Sequence, residues 1–289
     1  FRAYMWATQN PGYGAENLRG LNAGRVLDRE SGFTLDRLIA AAYDPYLAAF
    51  ETLLPPLFAA FDALAADDSL RAPLAAPVAA LRAWNLRTAA DSVPTALAVL
   101  WAQDLADRFA DRISADRAVV HEFLLHRVTT RERLEALGRT MARLERDFGS
   151  WQTPWGEINR FQRLTGDVRP TLDDAKPSLP IGFAPSNWGS LAAFGTAASS
   201  PPTRRIYGNR GNSFVAVVEF GPKVRAQSVL AGGVSGDPSS PHFNDQAALY
   251  AAGKFKDVLF HREDVERGAK RRYHPGEQPA EIARRNSVP

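Results

Sequence analysis

Residues 212–220 have the sequence NSFVAVVEF, a run of β-branched and aromatic side chains bounded by Gly211 and Gly221. Such a run favours a β-strand, because branched and aromatic side chains fit the pleated surface of a sheet. Residues 224–230 continue the pattern after Gly221 and Pro222, so we expect two strands joined by a turn. This hairpin predicts a sheet in the C-terminal part of the chain.

The residues before this hairpin are rich in alanine and show helical spacing instead. In residues 33–148, Thr34 precedes apolar side chains at the three- and four-residue intervals of one buried helix face. Ser92, with Pro94 in the next turn, and Thr130 predict two further helix starts, since hydroxyl side chains cap the first backbone N–H groups. Helices first and strands later indicate an α+β fold rather than a repeating βαβ order.

Composition divides the chain into three segments. Residues 1–30 are rich in glycine and asparagine and are predicted as loop and extended structure. Residues 31–150 form the predicted helical segment, and residues 151–289 form the strand-rich segment. Within the last segment we expect helical character at residues 245–252 and a final strand at residues 257–260.

The overall composition limits the kind of protein. The 289 residues are 45% hydrophobic, 10% aromatic and 23% charged, values typical of a globular chain with a sizeable core. No run of about 18 uncharged apolar residues is present, so no membrane span is predicted, and no signal peptide is visible. A net charge of +3 on 289 residues gives only a weak positive potential. This argues against nucleic acid as a partner. The absence of cysteine excludes disulfides, a thiolate metal site and a cysteine nucleophile.

The common signatures of nucleophiles and metal sites are incomplete. Ser235 lies in the sequence GVSGD, which lacks the second glycine of a G-x-S-x-G elbow because Asp237 stands there. His242 and Asp245 are either a base with its orienting carboxylate or cap residues of the following helix, and the structural interpretation is favoured. Ser186 is a further serine that would need His242 as its base. No histidine pair has the spacing of a helical zinc site. The residues alone therefore predict an α+β domain without a complete catalytic set.

Five short segments, taken together and in this order, carry a resemblance. They are ENLRGLNAGRVL (16–27), FTLDRL (33–38), WGEINR (155–160), GNSF (211–214) and GGVSGDPSSPHFNDQ (232–246). The sequence resembles the penicillin acylase family of N-terminal nucleophile amidohydrolases, and within it the branch with acyl-homoserine-lactone and aculeacin acylases. The resemblance implies that the chain is a portion of a four-layer αββα sandwich and that its three segments belong to one β-subunit domain.

The resemblance also implies a mechanism. Members are exported precursors that cut themselves into two subunits, and the β subunit begins with a serine whose hydroxyl attacks the amide while its own α-amino group acts as base. A backbone N–H and an asparagine side chain form the oxyanion hole. The implied function is hydrolysis of a linear amide, such as the acyl side chain of a penicillin or an acyl-homoserine lactone, in the periplasm or outside the cell. No cofactor is required, and a structural calcium is implied only for the complete enzyme, with no ligand assigned in this chain.

This sequence departs from the family pattern at the nucleophile, because it begins with Phe1 rather than with serine. It is similar to the C-terminal half to two-thirds of a β subunit. The expected partners are therefore the α subunit and the N-terminal part of the β subunit, and we expect the chain alone to be inactive. By this resemblance, the family's arginine that steadies the nucleophile and the oxyanion asparagine corresponds to Arg25, with Arg19 as the alternative. The structural interpretation of Arg25 is an arginine in a surface salt bridge. The resemblance makes His242 and Asp245 fold determinants. The alternative function is a non-catalytic module, derived from the family, that binds a ligand or a partner.

Overall fold

The computed structural model describes residues 17–116, 119–196, 202–274 and 276–277. Phe1 and the rest of the predicted loop up to residue 16 lie outside these ranges. The described helices are α1 (Leu18–Asp28), α2 (Leu35–Ala42), α3 (Phe50–Asp62), α4 (Arg71–Arg82), α5 (Val93–Arg108), α6 (Ala110–Ala115), α7 (Val120–His126), α8 (Thr130–Phe148), α9 (Trp155–Ile158), α10 (Ala247–Ala251) and α11 (Arg262–Gly268), with a 3₁₀ turn at Ser186–Trp188. The described strands are β1 (Asn159–Phe161), β2 (Leu179–Pro180), β3 (Phe194–Thr196), β4 (Ile206–Gly211), β5 (Phe214–Glu219), β6 (Arg225–Leu230) and β7 (Lys256–Asp257).

Hydroxyl caps define several helix starts in the helical region. The side chains of Thr34 and Ser92 each accept a hydrogen bond from the backbone N–H three residues on, as predicted. The prediction of Thr130 as a cap is wrong, because Thr129 caps α8 instead. Thr129 has Glu132 three residues later, and the two residues exchange side-chain and backbone hydrogen bonds in a capping box.

The loop predicted over residues 1–30 is wrong for its described part, because α1 occupies most of it. The side chain of Asn17 caps α1 by accepting from the backbone N–H three residues on, over 2.6 Å. Asn22, on the buried face of the helix, donates to the carbonyl oxygen of Gly189 over 3.2 Å. The glycine and asparagine content suggested a loop, but one asparagine caps this helix and another anchors it to a distant segment.

The predicted hairpin of β5 and β6 is confirmed. Its antiparallel register runs from Phe214 opposite Leu230 to Glu219 opposite Arg225, and β7 pairs with the other edge of β6. The final strand expected at residues 257–260 is shorter and begins one residue earlier. A second sheet has the order β2-β1-β4-β3, in which β1 and β4 are parallel and the other pairs are antiparallel. Helices packed beside two small sheets confirm the predicted α+β class.

Two apolar cores hold these elements together. The larger core lies among helices α3, α4, α5 and α8, where Leu53, Leu57 and Trp101 are fully buried. The smaller core joins both sheets to α10, since Phe161 of β1 and Phe194 of β3 pack with Val229 of β6 and Tyr250 of α10. Burial of such side chains stabilises the fold by about 1.5–3 kcal/mol each. None of the helices in the described ranges is both long and apolar enough to cross a membrane.

Candidate functional site

Arg25, one of the two predicted site residues, lies in the last turn of α1 and pairs with Glu51 in the first turn of α3. Its Nη1 atom is 2.8 Å from Glu51 Oε1 and 3.0 Å from Oε2. The two side chains are 43% and 33% exposed, so water screens the pair. Within the described ranges Nε and Nη2 of Arg25 have no hydrogen-bond partner. These two nitrogens carry further N–H donors of the guanidinium.

Tyr46 holds the other side of the Glu51 carboxylate. The Tyr46 hydroxyl donates to Glu51 Oε1 over 2.5 Å. Partial burial opposes the charged form of Glu51, but hydrogen bonds from Tyr46 and Arg25 outweigh it, so the pKa of Glu51 lies below its usual value. Burial, together with the neighbouring carboxylate, raises the pKa of Tyr46 to about 12. The Tyr46 hydroxyl therefore keeps its proton and remains a donor at neutral pH.

Asp44 ties the loop that carries Tyr46 to α1. Its Oδ1 atom accepts from Tyr46 N over 3.0 Å and from Asn22 Nδ2 over 3.1 Å. Its Oδ2 atom lies 3.1 Å from Arg87 Nη1, and the guanidinium carbon of Arg87 lies 5.7 Å from the centre of the Tyr46 ring, a cation–π distance. One polar network thus links α1, α3 and the loop before α3. We call it the Arg25 network, and its members are Asn22, Arg25, Asp44, Tyr46, Glu51 and Arg87.

Arg19, the alternative site residue, has a different environment on the same helix. Its Nη2 atom donates to the carbonyl oxygen of Leu191 over 2.8 Å. No carboxylate of the described part of the chain forms an ion pair with it. Burial lowers the pKa of Arg19, since removal from water disfavours the charged guanidinium. Arg19 lines a cavity of about 490 Å³, whose other lining residues are Asn17, Gly20, Ala23, Ala42, Leu191, Asn212 and Val215.

The structure brings His242 and Asp245 together, with Nδ1 2.9 Å from Oδ2, just before α10. The His242 side chain is 64% exposed. The hydroxyl oxygen of Ser235 accepts from the backbone N–H of Asp237 over 3.1 Å. Among the hydrogen bonds of the described ranges, none joins the hydroxyl of Ser235 or Ser186 to His242. This geometry favours a local structural contact over a serine, histidine and aspartate relay.

The sequence analysis missed the contacts that Glu51, Thr52 and His121 make in this region. Glu51 stands 26 positions after Arg25, and its only sequence signal is an acidic side chain in a first helical turn, which usually serves the helix dipole. Its neighbour Thr52 lies 2.8 Å from His121 Nε2, and His121 Nδ1 lies 3.2 Å from Glu122 Oε1. The contact between Thr52 and His121 links α3 to α7. No periodic pattern in the sequence predicts it.

Comparison with known proteins identifies the family. The sequence profile described as penicillin amidase matches residues 3–267. The chain belongs to the penicillin amidase family. Among solved structures, a thermostable penicillin G acylase from Alcaligenes faecalis in orthorhombic form is similar, with 18% sequence identity and a TM-score of 0.47. The match covers 90% of this chain and 52% of that one, so the chain spans about half the length of that protein.

Members of the penicillin amidase family are hydrolases of the amidase class, and this membership confirms the resemblance to that family. The branch with acyl-homoserine-lactone and aculeacin acylases stays a prediction. The matched range includes Arg19, Arg25 and the His242–Asp245 contact. In the described part of this penicillin amidase relative, no group of three or more histidine or carboxylate side chains is placed to hold a metal ion.

Proposed function

We propose that this chain is part of an amidohydrolase that cleaves a linear amide through an acyl-enzyme. The proposed nucleophile is an N-terminal serine carried by sequence outside these 289 residues. The observation that carries the proposal is the penicillin amidase match across residues 3–267. The proposed substrates are small amides with an acyl side chain, such as a penicillin, an acyl-homoserine lactone or a related compound.

Arg25 is the proposed supporting residue of this reaction. Glu51 binds only its Nη1 atom, and Tyr46 holds Glu51 in turn, so the guanidinium is fixed in orientation while its remaining donors stay available. An oriented guanidinium can stabilise negative charge that develops on a nearby oxygen without reorganising during the reaction. The supporting role is therefore to steady the nucleophile and the asparagine of the oxyanion hole.

The proposed partners are the α subunit and the N-terminal part of the β subunit, which together would complete the active site. A location in the periplasm or outside the cell accompanies this assignment. The chemistry needs no cofactor, because the serine provides both the nucleophile and, through its α-amino group, the base. Calcium is proposed only as a structural ion of the complete enzyme.

The test compares the 289-residue chain with the complete precursor, using chromogenic phenylacetyl and fatty-acyl amides. We expect no turnover by the chain alone and turnover by the complete enzyme. Arg25→Gln in the complete enzyme should lower kcat by about a hundredfold with little change in KM, the scale for losing one oxyanion-hole donor. Arg19→Gln is the matched variant on the same helix, and a larger kcat loss there would transfer the supporting role to Arg19.

Two results would contradict the proposal. Hydrolysis by the 289-residue chain itself would show that the nucleophile lies within it. A precursor without a serine at the β-subunit start, and without amidase activity, would support the alternative of a non-catalytic module that binds a ligand or a partner.

A further inference from the structure

Among the residues that the structure describes, the cation of Arg19 beside this cavity has no counter-charge. Arg25, six residues further along α1, pairs with both oxygens of Glu51. Arg19 is partly withdrawn from water and makes one hydrogen bond, to a neutral carbonyl oxygen, and within the described ranges no carboxylate pairs with it. Withdrawing a charge from water is unfavourable unless a partner compensates it. The described lining of the cavity therefore supplies no anion to compensate Arg19.

The walls of the cavity have two chemical characters. The guanidinium of Arg19 and the amide side chains of Asn17 and Asn212 are polar, whereas Leu191, Val215 and Ala23 are apolar. The cavity is open to solvent and has a volume of about 490 Å³, enough to admit part of a small molecule. A ligand that matches both halves has an anionic head and an apolar body.

A carboxylic acid has this pair of properties. A planar guanidinium binds a carboxylate through two parallel N–H···O hydrogen bonds, and such charge-assisted bonds are stronger than neutral ones. Inorganic phosphate or sulfate would satisfy the cation but leave the apolar wall without contacts. A neutral amide would satisfy the wall but leave the charge of Arg19 uncompensated.

We propose that this cavity binds an organic carboxylate with an apolar acyl or aryl body, held through its carboxylate by Arg19. The choice of this acid rests on the proposed function, since hydrolysis of an amide R–CO–NH–R′ by one water gives the carboxylate R–COO⁻ and the ammonium R′–NH₃⁺. Water adds across the C–N bond, and no oxidant or cofactor enters the balance. The acid released at the active site is thus the ligand class that the Arg19 cavity fits.

The test measures binding of phenylacetate and octanoate to the 289-residue chain by calorimetry and by amide NMR shifts. We expect a dissociation constant of about 1 mM or below for at least one acid, with shifts centred on Arg19, Leu191 and Asn212. Phenylacetamide, octanamide and sulfate should each bind about tenfold more weakly or not at all. Arg19→Gln should weaken carboxylate binding by about tenfold or more.

Two further variants keep the result interpretable. Arg29→Gln removes a positive charge from the exposed end of the same helix and should leave carboxylate affinity unchanged within about twofold, the scale of screened surface charges. Ala23→Leu keeps the charge but fills the cavity from α1, and it should weaken binding even if Arg19→Gln fails to fold.

The proposal is overturned if neither acid binds, if the amides or sulfate bind as tightly as the acids, or if folded Arg19→Gln and Ala23→Leu both retain the affinity. Its failure is separable from that of the proposed function. Turnover by the complete enzyme without carboxylate binding here refutes only this inference. Carboxylate binding here, with no turnover by the complete enzyme, refutes only the amidase assignment.

Discussion

The hydroxyl of Tyr46 donates to the carboxylate of Glu51 over 2.5 Å, on a loop and a helix that meet in front of Arg25. The same carboxylate also accepts from Arg25. A carboxylate can only accept hydrogen bonds, so Glu51 is shared between the neutral hydroxyl of Tyr46 and the charged guanidinium of Arg25. The orientation of Arg25 therefore depends on Glu51, which it contacts directly, and on Tyr46, which holds Glu51.

Replacing Glu51 with Gln should lower the pKa of Tyr46 from about 12 part of the way towards its ordinary value. Burial is the largest cause of the raised pKa of Tyr46, and the substitution leaves this burial in place. The substitution removes only the negative charge beside the hydroxyl. The measurement is an NMR pH titration of tyrosine ring carbons. Tyr207 is the internal control, because burial and Asp174 raise its pKa, and the Glu51 change should not move it. An unchanged Tyr46 titration would contradict the hydrogen bond.

The coupling between Arg25 and Glu51 should be below about 1 kcal/mol at neutral pH, because both side chains are substantially exposed. The pKa of Glu51 is lowered in the folded chain, so its stabilising contribution is fully present above the unfolded value of about 4.3 and is lost as the pH falls through the lowered folded value. A double-mutant cycle with Arg25→Gln and Glu51→Gln, from urea unfolding at pH 7 and at pH 3, checks this. A coupling that grows on acidification would be inconsistent with the ion pair.

Replacing Arg133 with Ala should destabilise the chain by about 2 kcal/mol or more. Arg133 is only 4% exposed, and its Nη2 atom donates to the carbonyl oxygens of Leu125 and Val128 over 2.8 and 3.1 Å, at the end of α7. The substitution removes both donors and leaves a cavity. Arg146→Ala on the same helix is the control, since that side chain is 68% exposed and its loss should change the free energy of unfolding by at most about 0.5 kcal/mol. Equal effects in the two variants would refute the structural role of Arg133.

Glycine to alanine changes should have opposite signs at Gly166 and Gly138. A Cβ atom at Gly166 would clash with the carbonyl oxygen of Gly236. The two backbone segments would have to separate, at a cost of about 1–3 kcal/mol. Gly138 lies inside α8 with nothing within 4 Å of the added atom, and alanine there should stabilise the helix by about 0.5–1 kcal/mol. Thermal unfolding of both variants measures the difference. A stable Gly166→Ala chain would mean that the two segments do not touch.

The parts of the fold that were predicted correctly depend on short-range interactions. The caps at Thr34 and Ser92 need only a hydroxyl and a backbone N–H three residues away. The strand at residues 214–219 follows from side chains that favour a pleated surface, and its partner strand follows after a short turn. Interactions over such spans appear directly in the sequence, because the chain connectivity already brings the groups together.

The α+β class, the hairpin and the family resemblance were predictable from the sequence, which also identified Arg19 and Arg25 as candidates. Folding brings Arg25 to Glu51, 26 positions away, whereas Arg19 contacts a carbonyl oxygen 172 positions away and has no carboxylate among the described residues. Folding also places the buried Asn22 of α1 against the carbonyl oxygen of Gly189. These three long-range contacts share one cause. Whether a charged or polar side chain is compensated depends on which distant groups packing brings within hydrogen-bond distance, and two arginines six positions apart have the same local sequence preferences.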